Sequence, residues 1–373
     1  MFNSFLKSLS VILFTITLAF ISTAVFSQEE KVNDAAKEQK TESTAKKEEG
    51  DFNPGDVIME HIMDNHDFHF GEINGQHIAI PLPILIYSPQ RGFTSFLSSE
   101  FKHGEEEYKG YKLTEKGAIV AVKEDKTIDE TVKVYDLSLT RNVVQMFIAI
   151  GLLLVLISGA AKKYKENGVH KAPTGFQNAL EVVITFIRDE VGKSNLGHKY
   201  EKYMPYLLSV FFFILICNIF GLIPGSANVT GNIAFTLVLG LISFVVIIAS
   251  TNSHFWAHIF NPPVPSFVKP ILAIVELLGI FTKPFALIIR LFANMVAGHM
   301  IITCLIMMIF IFSKLSTAAG IGFAPVSLGF TVFIYIIEVL VAFIQAFIFT
   351  NLTAVFIGQA FEGEHHEDAH AHH

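Results

Sequence analysis

The stretch IIRLFANMVAGHM, residues 288–300, sets one arginine inside an otherwise oily run. Leu287, Ile288 and Ile289 precede Arg290, and Leu291, Phe292 and Ala293 follow it. The nearest acid in the chain is Glu276, fourteen positions back. A guanidinium keeps its proton at any pH a protein meets, so it cannot escape burial by losing its charge. Placing it in mid-membrane costs about 3 kcal/mol on insertion scales and far more in simulation. The fold therefore turns on whether this run is a membrane helix, and the function on what offsets its charge.

The rest of the chain answers the first question. Of 373 residues, 51% are hydrophobic and 16% charged, against about 25% charged in a soluble domain. The apolar residues gather in runs at 143–161, 206–223, 233–250, 271–312 and 326–358, each near or above the roughly 20 residues a hydrocarbon core requires. This pattern predicts an all-α polytopic membrane protein with five membrane helices. The net charge of −7 comes largely from the water-facing ends and does not point to nucleic acid. Cys217 and Cys304 both fall inside expected membrane helices and read as small core residues rather than a disulfide.

Ahead of these spans the composition changes three times. Residues 1–27 have the form of a signal peptide: Lys7, the apolar SVILFTITLAF, then STAVFS with small residues at Val25 and Ser27. Residues 28–50 mix charges without apolar periodicity and read as a disordered linker. Residues 51–140 contain short alternating β-branched runs broken by charged turns, as in KGAIVAVKEDKTIDETVKVYDLSL, which predicts a small β-rich extracytoplasmic module. Its histidines 61, 66, 69 and 77 repeat no ligand spacing and read as scattered surface residues. The membrane domain occupies 141–360, and a His-rich cytoplasmic tail, EHHEDAHAHH within 361–373, ends the chain.

Basic residues set the orientation. Lys162, Lys163, Lys165, Lys171, Arg188, Lys193, Lys199 and Lys202 follow the first span, whereas the loop near 224–232 has no charge and the loop at 313–325 has only Lys314. The first span thus runs inward, and five spans leave the C-terminus in the cytoplasm. FQNALEVVITFIRDEVG, between the first two, is too polar to cross and is expected along the cytoplasmic interface.

The last two apolar runs are too long to stand upright. As helices they measure roughly 60 and 50 Å at 1.5 Å per residue, against a core of about 30 Å. They are expected as a long tilted hairpin, with Pro284 bending the first helix or marking its start. Their polar residues are Glu276, Lys283, Arg290, Asn294, His299, Glu338 and Gln345. Arg290, Asn294 and His299 share roughly one helix face, as do Glu338 and Gln345. In an antiparallel pair, residues at one depth have a constant sum of numbers; Arg290 with Gln345 gives 635 and His299 with Glu338 gives 637. That register sets a His/Glu pair, able to exchange a proton near physiological pH, outside the arginine. Glu276 lies about 21 Å along the helix toward the cytoplasm. No acid of this chain matches the level of Arg290, so its carboxylate partner is expected on another subunit.

At these residues the chain resembles a known family. TKPFALIIRLFANMVAGHMI and EVLVAFIQAFIFTNLTAVFIGQA, with ICNIFGLIPG at 216–225 and its Asn218, are similar to subunit a of F-type ATP synthase, the membrane stator beside a rotating ring. The resemblance covers about residues 142–360 and leaves out 51–140, a module longer than that family needs. Many bacterial relatives carry the outer pair as glutamate then histidine; here His299 and Glu338 exchange places, an arrangement the family also uses.

The resemblance implies that protons enter through His299/Glu338 and load a carboxylate of the c-ring. Arg290 attracts that carboxylate when it is unprotonated and separates two half-channels, and protons leave past Glu276. The implied partners are c-ring subunits, peripheral-stalk b subunits, the remaining complex and the bilayer of the bacterial inner membrane. No cofactor or metal is called for, and the chain is not catalytic alone. The alternative is a proton-coupled secondary transporter, but no internal repeat of the kind such proteins show is visible. His254 and His258 have ligand-like i, i+4 spacing without an HExxH motif, so an interfacial role is favoured over an intramembrane metalloenzyme.

Overall fold

The computed structural model describes residues 66–73, 76–104, 106–114, 117–123, 127–129, 131–167, 175–223, 226–251, 259 and 267–359. The expected signal peptide, linker and His-rich tail, with His61, Lys171, His254 and His258, lie outside the described residues.

Upstream of the candidate membrane helices the described residues form seven short strands. β1 (Asp67–Ile73) and β2 (Gln76–Pro81) make an antiparallel hairpin with a register shift between His69 and Gly71. β3 (Pro83–Ser88) pairs on one side with β4 (Gly92–Leu97) and on the other with β7 (Tyr135–Asp136), giving the sheet order β4-β3-β7. The β3–β4 turn closes at Gly92, whose φ of 79° only glycine adopts freely. β5 (Tyr111–Leu113) and β6 (Ile119–Ala121) form a second hairpin. Ile84, Ile86, Phe101, Tyr111, Ile119 and Ala121 make the module's core. Arg91 staples the segments around it, donating to the carbonyls of Gly110 at 2.7 Å and Val122 at 3.2 Å. The β-rich expectation holds, but the strands divide among three small sheets.

The strand pairing runs almost to the first candidate membrane helix. The amides of Leu137 and Leu139 still donate to Leu85 and Pro83 of β3, and helix α1 (Arg141–Asn167) starts two residues later. α2 (Phe176–Phe186) passes into a π-helical segment, Ile187–Lys193. A break at Gly197, φ 51°, separates this stretch from α3 (Tyr200–Leu222). α4 (Ile233–Ala249) is capped by Asn232, whose side chain accepts the Ala234 amide at 2.9 Å. α5 (Lys269–Leu315) and α6 (Thr317–Gln359) complete the chain, at 47 and 43 residues.

Four helical stretches among the described residues are long and apolar enough to cross a membrane; α4, with 17 residues, is shorter. Its length is about 26 Å, slightly under a hydrocarbon core. The buried centre of the bundle is α3, where Leu207, Phe211, Ile214 and Cys217 are fully enclosed and pack against α1 and α6.

Two sequence expectations need correction. The loop expected at 313–325 is helix except at Ser316: α5 continues to Leu315 and α6 begins at Thr317. Ser316 has extended backbone, and its side chain accepts the Ala319 amide at 3.1 Å, starting the next helix. Gly320 lets the two helices close so tightly, since a Cβ there would sit 2.9 Å from the Cα of Ser313. The glycines and Pro325 of this region are loop signals in water, but membrane helices tolerate them. Of the two roles expected of Pro284, marking the start of α5 is excluded, because it lies inside the helix.

Candidate functional site

The seam between α5 and α6 is antiparallel, and its contacts fix its register. The Phe312 and Phe323 rings approach to 4.6 Å, Gly320 packs on Ser313, the Ser327 hydroxyl donates to the Leu305 carbonyl, and Gly298 receives the Glu338 carboxyl. The paired numbers sum to 635, 633, 632 and 636, beside the 635 and 637 read from the polar levels.

Glu338 occupies the tightest point. It is 9% exposed, and its carboxyl lies directly over Gly298: a Cβ on that glycine would be 2.3 Å from the carboxyl carbon. Only the absence of a side chain at 298 lets the acid enter the seam. Its Oε2 is buried without a hydrogen-bond partner among the described residues. Such an atom costs about 1–3 kcal/mol or more and calls for an explanation. His299, half-buried, is the next residue on α5.

One turn along α6, Asn218 of α3 is fully buried and donates from Nδ2 to the Ala342 carbonyl at 3.2 Å. Its Oδ1 is also buried without a partner among the described residues. The unsatisfied oxygens of Glu338 on α6 and Asn218 on α3 thus lie against neighbouring turns of α6.

Arg290 has a different setting. It is exposed on the outward face of α5, among Ala286, Ile289 and Ala293, while Leu287, Ile288 and Leu291 point into the bundle. Among the described residues it forms no hydrogen bond or ion pair. Gln345, expected to face sideways with it, is instead 7% exposed beside the buried Ala342, Ala346 and Phe349. Glu276 and Asn294 are half-buried on the same unbroken helix as Arg290.

Two polar residues escaped the sequence reading. Asn228, in the α3–α4 connection, donates from Nδ2 to the Met295 carbonyl at 3.2 Å and accepts the Gly231 amide at 3.0 Å. Met295 is the residue whose carbonyl, in helical geometry, also receives the backbone N–H of His299. The connection is thereby tied to α5 at the histidine's level. Gly221 permits this approach, because a Cβ there would meet Asn228 Oδ1 at 3.0 Å and Met295 Cε at 3.3 Å. Gln145 of α1 grips both sides of the Ala227 peptide, accepting from its amide at 2.7 Å and donating to its carbonyl at 2.5 Å. An amide inside the apolar run 143–161 was itself a signal, since polar groups in such runs have partners. Asn228 offered no periodicity to betray it.

At the far end of the hairpin, Asn195 donates to Asn351 Oδ1 at 2.9 Å and to the Val191 carbonyl at 2.8 Å. Gly358 lies against the Asn195 carbonyl, where a Cβ would come within 2.1 Å. Among the described residues no group of three His, Cys, Asp or Glu is placed to hold a metal.

Comparison with known proteins agrees with this architecture. The family described as ATP synthase A chain matches residues 143–358, and a family described only as a domain of unknown function matches 57–137. "ATP synthase subunit a" of Chloroherpeton thalassium is 48% identical over 244 residues, 64% of this chain and 71% of the relative. "ATP synthase subunit a" of Pelodictyon phaeoclathratiforme is 38% identical over 332 residues, 87% of this chain and 82% of the relative. "ATP synthase subunit a" of Anaeromyxobacter dehalogenans is 40% identical over 247 residues, 64% of this chain and 61% of the relative. The Pelodictyon match is too long to lie within 141–373 alone. Similarity to a relative so named therefore extends upstream of 141, beyond the 142–360 that the motifs delimited.

Proposed function

The chain belongs to the ATP synthase A chain family, and from that premise we propose that the α5–α6 hairpin carries two proton half-channels separated by Arg290. The protein is a multi-pass subunit of the bacterial plasma membrane that works in the F0 sector of F-type ATP synthase, and it is not an enzyme on its own. The secondary-transporter reading is set aside with that assignment.

In the proposed mechanism protons enter from the extracytoplasmic side at His299 and Glu338, with Asn218 and Gln345 on the same wet path. They pass to a carboxylate on the c-ring, travel with it, and leave past Glu276 to the cytoplasm. Arg290 and Asn294 face the ring. The guanidinium attracts each carboxylate that arrives unprotonated and prevents direct flow between the half-channels. Its desolvation is offset by a succession of transient partners rather than by one fixed acid. The peripheral-stalk b subunits hold the chain against the turning ring, with the β-rich module outside the cytoplasm and the C-terminus inside.

One observation carries this reading: Arg290 is exposed on an apolar outward face and has no partner among the described residues, while Glu338 is enclosed with an unsatisfied oxygen. A cation and an acid meant to stabilise the fold would have met each other. Arg290→Ala should abolish proton-driven ATP synthesis in membrane vesicles while the subunit still inserts, as judged by its abundance in washed membranes. Arg290→Lys should restore little, because an ammonium lacks the planar fork. Normal synthesis in Arg290→Ala vesicles would overturn the assignment.

A further inference from the structure

The β4-β3-β7 sheet has two apolar faces, and among the described residues only one is buried. Directly opposed residues share a face in an antiparallel pair. The pairs Tyr87–Phe93, Leu85–Ser95 and Pro83–Leu97 on one side of β3, and Tyr87–Tyr135 on the other, therefore define the outer face. Leu137 and Leu139 continue it beside Leu85 and Pro83. These nine positions include no charge. The inner face, with Ile84, Ile86 and Asp136, is buried in the module core. On the outer face Tyr87, Phe93, Leu97 and Leu137 are 46%, 63%, 49% and 40% exposed. A sheet with one solvated face ordinarily alternates apolar-in with polar-out, and this one does not.

Position says what covers it. Leu139 is still paired to Pro83, and α1 begins at Arg141, so the row Pro83–Leu97–Leu139 sits within about 7 Å of the membrane helix at full chain extension. The row Tyr87–Phe93–Tyr135 is four residues farther out, about 13 Å at strand rise. The face is thus graded: aliphatic side chains nearest the bilayer, then a row of aromatics, two of them tyrosines stacked with ring centres 6.4 Å apart. Aliphatic below and tyrosine above is the order side chains take on crossing from acyl chains to headgroups.

We propose that this sheet face lies on the lipid surface of the leaflet in which α1 begins, sinking its leucines into the headgroup boundary and holding its tyrosines among the headgroups. The module is then a membrane-seated collar that fixes the entry angle of α1, not a domain free in solution. The proposal rests on α1 being a membrane span and is independent of the proton path.

The test uses the whole ATP synthase complex in phosphatidylcholine vesicles. Leu97→Cys and Phe93→Cys variants, and a Glu107→Cys control on an exposed site elsewhere in the module, carry a nitrobenzoxadiazole label on a background free of other reactive thiols. Quenching is measured with aqueous iodide and with phosphatidylcholine brominated along its acyl chain. Labels at 97 and 93 should be quenched severalfold less by iodide than the control and clearly by bromolipid, more strongly at 97. Control-like iodide quenching at both sites would overturn the proposal. Protection from both quenchers would overturn it too, because the cover would then be protein. Using two positions guards against one label disturbing the sheet, and ATP synthesis by the labelled complexes reports separately on the proton path.

Discussion

Two buried carboxyls, one in each half of the molecule, have opposite surroundings. Asp136 of the β-rich module is 4% exposed and fully engaged: His66 Nε2 lies 2.7 Å from Oδ2, and the Ser138 amide donates to Oδ1 at 2.8 Å. Glu338 of the hairpin is 9% exposed, pressed against a bare glycine, with Oε2 unsatisfied. A buried acid that binds neighbouring segments is completed by the fold. An acid that the fold leaves incomplete is available to something that comes and goes. In the proposed mechanism the first is a structural charge and the second a working one.

The comparison breaks most visibly if Glu338 can be neutralised without loss. Glu338→Gln preserves shape and removes the exchangeable proton, so ATP synthesis and passive proton flux through F0 should both fall by about a hundredfold or more, the scale of a lost proton-transfer group. Membrane abundance of the subunit should stay near normal. Synthesis within a fewfold of the parent would reduce Glu338 to a packing residue.

Asp136→Asn should reverse that profile. Breaking one side of a buried ion pair costs about 3–5 kcal/mol, so limited proteolysis should cut the module readily while synthesis by the surviving complex persists. Burial works against the charged form of Asp136, but His66 beside it and hydrogen bonds from His66 and Ser138 outweigh this and hold its carboxyl below the usual 3.8. A depressed folded pKa stabilises above the unfolded value and loses that contribution as pH falls through the folded one. Protection of the parent module should therefore decline below about pH 4, and Asp136→Asn should remove that acid-sensitive component. An unchanged acid profile in the variant would assign the sensitivity elsewhere.

Asn228→Asp should have the smallest effect. It keeps the oxygen that accepts the Gly231 amide and removes the donor to the Met295 carbonyl, a bond worth about 1 kcal/mol. Proton flux should drop severalfold with a shifted pH profile, and Asn228→Ala, which adds no titrating group, should shift it likewise, because the α5 backbone is loosened where His299 sits. A lower flux with an unshifted profile would mean that Asn228 merely holds the connection in place.

The same contrast explains what could be read from the sequence. The register of the hairpin was legible because few polar residues interrupt the two apolar runs, and levelling Arg290 with Gln345 and His299 with Glu338 left one alignment. It was so although Gln345 faces inward and Arg290 outward. The hairpin's turn was not legible: Gly320, Gly322 and Pro325 signal loops only where water can take up the freed backbone groups. β-character upstream followed from alternation, but the pairing of β3 with β7 joins residues about fifty apart, and His66 meets Asp136 across seventy. No local pattern announces such partners. Asn228 was hidden for the related reason that a connection has no period. The inward burial of Gln345 depends on how α6 is rotated against α3, which its spacing from Glu338 leaves open.

The central claim is that the outward face of α5 around Arg290 meets the rotating ring. Disulfide cross-linking in native membranes tests it directly, pairing Ala286→Cys, Ala293→Cys or Ala297→Cys on the exposed face with cysteines on the outer helix of the ring subunit. Met295→Cys, buried at 1% exposure, is the control. The account predicts ring-linked products from the three outward positions and none from 295. Outward positions that link only to other subunits, or to none, would contradict it.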